Sequence, residues 1–166
     1  VRTHLVGADE ELIAADCQPQ RYRQMPQWVK YLIRRRKGED LRSVFASVHE
    51  PFRGETWIER VTAAKVEPQD GDAVAVRVRL RNGETHFCFH SLNPGREYVV
   101  EDGLRADGQA ACLVLDDEGK PVRAMLLNGT ALTLGDLKLA GHGLRESTIK
   151  SIDYGAGIIE LADPIV

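Results

Sequence analysis

The residues best placed to hold a metal are His86, Cys88 and His90, which alternate in Thr85–His90 and so point one way along an extended chain. Imidazole and thiolate are zinc ligands. The register of the neighbouring hairpin weighs against that use. Asn82-Gly83 is a strong signal for a two-residue turn, which pairs Arg79 with His86 and Arg77 with Cys88. Two fixed cations beside a divalent ion are unfavourable, so a polar outer face is the expected reading and no cofactor is assigned. Ser47 and His49 share a strand face, but no nucleophile elbow or third partner accompanies them. Gly155-Ala156-Gly157 is a turn between two strand-like runs rather than a phosphate loop.

Two further sets of residues suit binding rather than catalysis. Arg34-Arg35-Arg36-Lys37 could meet an anionic polymer, with Arg21 and Arg23 extending it. Strand alternation splits that run over two faces, and Glu39 and Asp40 neutralise its end. Trp28, Trp57, Tyr31 and Tyr98 offer flat faces for stacking on sugar rings. Large aromatics in a β-sandwich mostly fill the core, which is the expected place for each of the four. Arg34, Arg36, Lys37 and Trp57 stand as the candidate substrate-binding residues.

The elements that must position these residues read as strands. Val1–Gly7 and Glu11–Asp16 are two short ones, and Gln18–Gln27, with two prolines, is a loop. Lys30–Phe52 reads as a hairpin turning at Gly38-Glu39-Asp40 and ended by Pro51. Trp57–Lys65 follows, then Ala73–Arg81, the clearest alternation in the chain. Further strands fall at Glu97–Glu101, Ala110–Asp116, Val122–Leu127, Thr130–Leu139, Thr148–Tyr154 and Ile158–Leu161. About a dozen strands at spacings of about 8 to 12 residues, with no long helical pattern, indicate an all-β antiparallel β-sandwich. The expected core is Val44, Val48, Val74, Val76, Val78, Phe87, Phe89, Leu113, Leu115, Leu126 and Ile152.

Composition bounds the rest. The chain has 166 residues, 28% of them charged, with a net charge of -3. That length suits one domain with a real core, and that balance gives no drive toward nucleic acid. No apolar run approaches the roughly 20 residues of a membrane helix, and no membrane partner is expected. No signal peptide is recognisable and the chain starts at Val1, so residues 1–166 are expected to be one domain cut from a longer protein. Cys17, Cys88 and Cys112 are odd in number and widely spaced; they define no disulfide framework and leave a single bridge open.

The order of motifs adds a family. YLIRRRKGEDLRSVFASVHEPF, WIERVTAAKV and AVAVRVRLRNGETHFCFHSL, followed by MLLNGTALTLGDLKL and TIKSIDYGAGIIELADPI, resemble the C-terminal β-sandwich of heparinase II/III-like polysaccharide lyases. His49-Glu50-Pro51-Phe52 is the most specific piece. Members of that family join an α-helical toroid to β-sandwich domains and cleave uronate-containing polysaccharides by β-elimination, with a Tyr/His pair as base and acid. The resemblance carries no catalytic residue onto this chain. It implies a non-catalytic C-terminal domain that packs on an N-terminal catalytic toroid and shapes one side of an acidic-polysaccharide cleft. It also implies an extracellular or periplasmic location, and one exposed patch where the toroid docks. A free-standing carbohydrate-binding module is the alternative, recognisable by exposed Trp28 and Trp57. A metal-dependent β-domain using His86 and His90 is a third.

Overall fold

The computed structural model describes residues 1–7, 10–18 and 28–162. Arg21, Tyr22 and Arg23 lie outside the described residues. In chain order the strands are β1 (Arg2–Val6), β2 (Glu11–Cys17), β3 (Val29–Arg35), β4 (Ala46–Glu50), β5 (Ile58–Ala64), β6 (Val66–Glu67), β7 (Ala73–Leu80) and β8 (Thr85–Ser91). They continue with β9 (Tyr98–Val100), β10 (Leu104–Ala106), β11 (Ala110–Leu115), β12 (Pro121–Leu127), β13 (Ala131–Leu134), β14 (Leu137–Ala140), β15 (Ile149–Asp153) and β16 (Ile158–Leu161). One turn of 3-10 helix, Glu101–Gly103, joins β9 to β10.

Two five-stranded antiparallel sheets form the sandwich, in the orders β12-β11-β8-β7-β5 and β14-β13-β10-β9-β6. Their inner faces meet in one core. Ala64, Ala75, Phe87, Phe89, Ala111 and Leu113 come from the first sheet; Val66, Tyr98, Val100, Leu104, Ala106 and Leu132 come from the second. Phe89 and Tyr98 touch across the layers with ring centroids 5.7 Å apart and planes tilted by 49°, within the range of centroid distances that aromatic pairs favour. The first sheet is also covered in part on its outer face. There Val6 of β1 joins Ile58, Val76 and Val78, with Ala46 and Val48 of β4 packed against them. β1 and β4 pair with each other, Arg2 opposite Glu50 and Val6 opposite Ala46, and form a third layer.

This arrangement alters three expectations. The expected hairpin over Lys30–Phe52 does not form: β3 pairs with β2 and β4 with β1. The β2–β3 ladder sets Glu11 opposite Arg35, Asp16 opposite Lys30 and Ile13 opposite Ile33, favourable cross-strand pairs. A turn at Gly38 would bring the β3 arginines beside Arg42 instead, and Asp40 there takes a left-handed φ of 48°.

The β7–β8 register is also one residue from that expected. Leu80 N–H donates to Glu84 O at 2.9 Å and Gly83 N–H to Leu80 O at 3.1 Å. The loop is therefore Arg81-Asn82-Gly83, with Gly83 at φ 92° as the only left-handed residue of the three, the three-residue bulged hairpin. Arg77 pairs with Phe87 and Val76 with Cys88. Phe87 and Phe89 enter the inter-sheet core, while Val76 and Val78 enter the outer one. A register slip of one exchanges faces, and both faces of this strand pair are covered, so alternation alone could not choose between them.

The third difference is Ile152, expected inside and found exposed on β15. Among the described residues β15 pairs with β16 and with no other strand, which leaves Ile149, Ile152, Ile158 and Ile159 in solvent.

Candidate functional site

The site begins with a charged residue on a buried face. Ala46, Val48 and Glu50 share one side of β4, and Glu50 is 4% exposed. A buried carboxylate must be hydrogen-bonded, and this one accepts from Trp57 N–H at 2.5 Å and Ile58 N–H at 2.7 Å. Arg2 across the ladder donates to it at 2.9 Å and also to Ile58 O at 2.5 Å. Burial pushes the Glu50 carboxyl up, but the Ile58 and Trp57 amides, with His4 and Arg2, outweigh it and hold the group below the ordinary carboxylate range.

Glu50 thereby fixes the backbone on which Trp57 stands. On the other side Trp57 O accepts from Arg81 N–H at 2.9 Å. Pinned from both sides, the indole projects outward and is 70% exposed. It lines an open depression of about 260 Å³ with Glu55, Thr56, Leu80, Arg81 and Asn82. Arg81 Nη2 reaches Thr56 Oγ1 at 3.4 Å. An exposed ring rimmed by a guanidinium, a carboxylate, an amide and a hydroxyl can stack on a sugar face while the rim bonds its hydroxyl groups.

Trp28 is 58% exposed and borders a second depression with Asp16 and Lys30. Tyr31 is exposed as well, and Tyr98 alone of the four aromatics is in the core, its hydroxyl facing Asn93. The expectation that all four fill the core therefore holds for one. The reason is coverage: Tyr31 on β3 and Trp28 just before it stand at the β2–β3 pair, which among the described residues joins no larger sheet.

The basic run does not form one patch. Arg34 turns inward, its fork bonded to both Glu10 oxygens at 2.6 and 2.8 Å. Its remaining donors hold Val6 O at 2.6 Å and Ala46 O at 2.5 Å, and the guanidinium lies 5.3 Å from the Phe45 ring centre. Arg34 is thus a strap from β3 to the β1–β4 layer. Arg36 sits 3.6 Å from Glu10 and over the same ring, and Lys37 is 3.4 Å from Glu11. Arg34 reaches β4 at Ala46 and Trp57 reaches it at Glu50, a separation of roughly 13 Å along the strand. The four candidate binding residues thus fall at opposite ends of the β1–β4 ladder.

Arg77 and Arg79 lie on the inner face of the first sheet, where the layers part. They line a polar cavity of about 780 Å³ with Glu59, Glu101 and Asp102. Arg77 closes one side by pairing with Glu101 at 3.3 Å and with Asp102, over the Phe87 ring. Those arginines therefore do not stand beside His86 and Cys88, as the two-residue turn required. Among the described residues no group of three or more His, Cys, Asp or Glu side chains is placed to hold a metal ion. Comparison with family models, characterised proteins and solved structures finds no match for this chain.

Proposed function

We propose that this chain is a non-catalytic β-sandwich domain of a heparinase II/III-like polysaccharide lyase, and that it docks on the catalytic part of that enzyme through the β2–β3 hairpin. The observation that carries the reading is the unsupported state of that hairpin. Two strands alone are marginally stable in water, yet β2–β3 holds Leu12, Tyr31, Leu32 and Ile33 in solvent, and Arg34 straps it to the β1–β4 layer. A helical toroid lying on it would supply the missing layer.

A second reading, the carbohydrate-binding module, has its own support in the exposed Trp57 and its polar rim. The experiment separates the two. The 166-residue chain is incubated with heparan sulfate, hyaluronan, alginate and pectin, and the absorbance of unsaturated uronate is followed. The accessory role predicts no product; sustained product formation overturns both readings. The same polymers cast into native gels then report binding. Retardation that Trp57→Ala abolishes favours the binding module. Unretarded migration, with β2–β3 amides protected from exchange only when the rest of a lyase chain is supplied, favours the docking domain.

A further inference from the structure

Cys88 on β8 and Cys112 on β11 stand directly opposite one another, and both thiols are free. The hydrogen bonds around the ladder give its phase. Ser91 N–H donates to Gln109 O at 2.9 Å, so the peptide groups of Phe89 and Phe87 face β11 and those of Cys88 face β7. The far edge agrees: the Leu80–Glu84 bond makes Val76–Cys88 a bonded pair of the β7–β8 ladder. Cys88 and Cys112 are therefore a non-hydrogen-bonded pair, the closer kind, with Cα atoms about 4.5 Å apart. Disulfides span Cα separations of about 4.4–6.8 Å. The backbone already holds the distance a bridge needs.

The surroundings distinguish the two sulfurs. Cys88 is exposed and Cys112 half-buried. The Cys88 thiol donates its hydrogen bond to Cys112, and this, with His86 and Arg123 nearby, outweighs burial and draws the Cys112 thiol down to about 6. The same bond pushes the Cys88 thiol up. One partner is thus a ready nucleophile and the other a resolving thiol.

We propose that Cys88 and Cys112 form a cross-strand disulfide by exchange with a low-molecular-weight disulfide such as oxidised glutathione. The Cys112 thiolate attacks one glutathione sulfur, forming a mixed disulfide and expelling a glutathione thiolate that takes a proton from water. Cys88 then gives its proton to solvent, and its sulfur attacks Cys112 Sγ. The second glutathione thiolate leaves and is protonated in turn. Two protein thiols are oxidised and one disulfide is reduced to two thiols. Excess small thiol runs the sequence backward. The product staples β8 to β11 in the middle of the first sheet. Cys17, on β2, faces Val29 across its ladder and has no such partner.

The test uses the folded chain carrying Cys17→Ser, which leaves the pair intact. After incubation with oxidised glutathione and an acid quench, intact mass and peptide mapping are recorded. The proposal expects a loss of two hydrogens, one peptide pair joined through Cys88 and Cys112, no retained glutathione, and full reversal by dithiothreitol. Adding Cys88→Ser should leave a single stable glutathione adduct on Cys112. Separate stable adducts on both cysteines overturn the proposal. So does a folded chain in which Cys112 stays unreactive while the urea-unfolded chain reacts.

Discussion

At the residue scale, Asp107 is the plainest case of a charge retained for structure. It is 8% exposed, and its carboxylate accepts from Thr130 N–H at 2.8 Å, Ala131 N–H at 2.9 Å and the Thr130 hydroxyl. Burial pushes its carboxyl up, but those donors prevail and hold it below the ordinary value. The group therefore stabilises the fold above the unfolded carboxylate value of about 3.9, and that contribution is lost as pH falls through the lower folded value. Asp107→Ala should cost about 3 kcal/mol at pH 7, because three donors lose their acceptor. Asp107→Asn should keep part of that stability and flatten its acid dependence between pH 7 and 3; urea unfolding at both pH values reads the two effects. Of the residues at the candidate site, Trp57 was named for its flat aromatic face, but the core was its expected place and its exposure was not foreseen. Glu50 was not singled out, although a carboxylate two residues beyond Val48 on an apolar strand face is a signal that a buried partner awaits it. Its partners, the amides of Trp57 and Ile58, carry no side-chain mark and could not be read.

Elements were legible where their own alternation defines them and illegible where distant chain decides. β7, β8, β11 and β12 follow the apolar periodicity closely, and Val76 and Val78 are buried as expected. Val76→Ala should cost about 1–3 kcal/mol, measured by chemical unfolding. The partners of β3 and β4 could not be inferred, since residues 18–28 separate β2 from β3 in sequence, and residues 7–45 separate β1 from β4. The β7–β8 turn was misjudged by one residue because Gly, the second half of the two-residue signal Asn-Gly, also suits the left-handed last position of a three-residue loop. Its Gly83 has a second constraint: a Cβ there would sit 2.6 Å from Cβ of Asp117, at a φ of 92°. Gly83→Val should therefore destabilise by more than strain alone, and Asp117→Gly should recover part of the loss. Non-additive unfolding energies in that double-mutant cycle are the expected reading; additive ones would place the cost in the backbone alone.

For the whole molecule, stability is unevenly spread. The two sheets share a closed core, whereas β15–β16 is exposed along its length from Ile149 to Glu160. Units with few buried apolar contacts open at low free energy. Amides of β15–β16 should exchange first, well before those of β8 and β11. Cleavage near Tyr154, by chymotrypsin at low ratio, should leave the unfolding midpoint of the remaining sandwich unchanged. A midpoint that falls with the cut would show that this hairpin braces the core. The all-β architecture was readable from strand spacing. The third layer was not, because nothing in the β1 and β4 sequences distinguishes packing on an outer sheet face from packing in the central core.

The β1–β4 ladder has a consequence for the order of assembly. It joins Arg2 to Glu50 and Val6 to Ala46, whereas β7–β8 and β11–β12 close over short turns. Loop closure favours the short hairpins, and long-range pairs must wait for them. The corner that carries Trp57 is thus expected to be set late, after the first sheet exists for β1 and β4 to settle on. Substitutions at Glu50 should then accelerate unfolding and leave the refolding rate nearly untouched, while those at Phe87 should slow refolding.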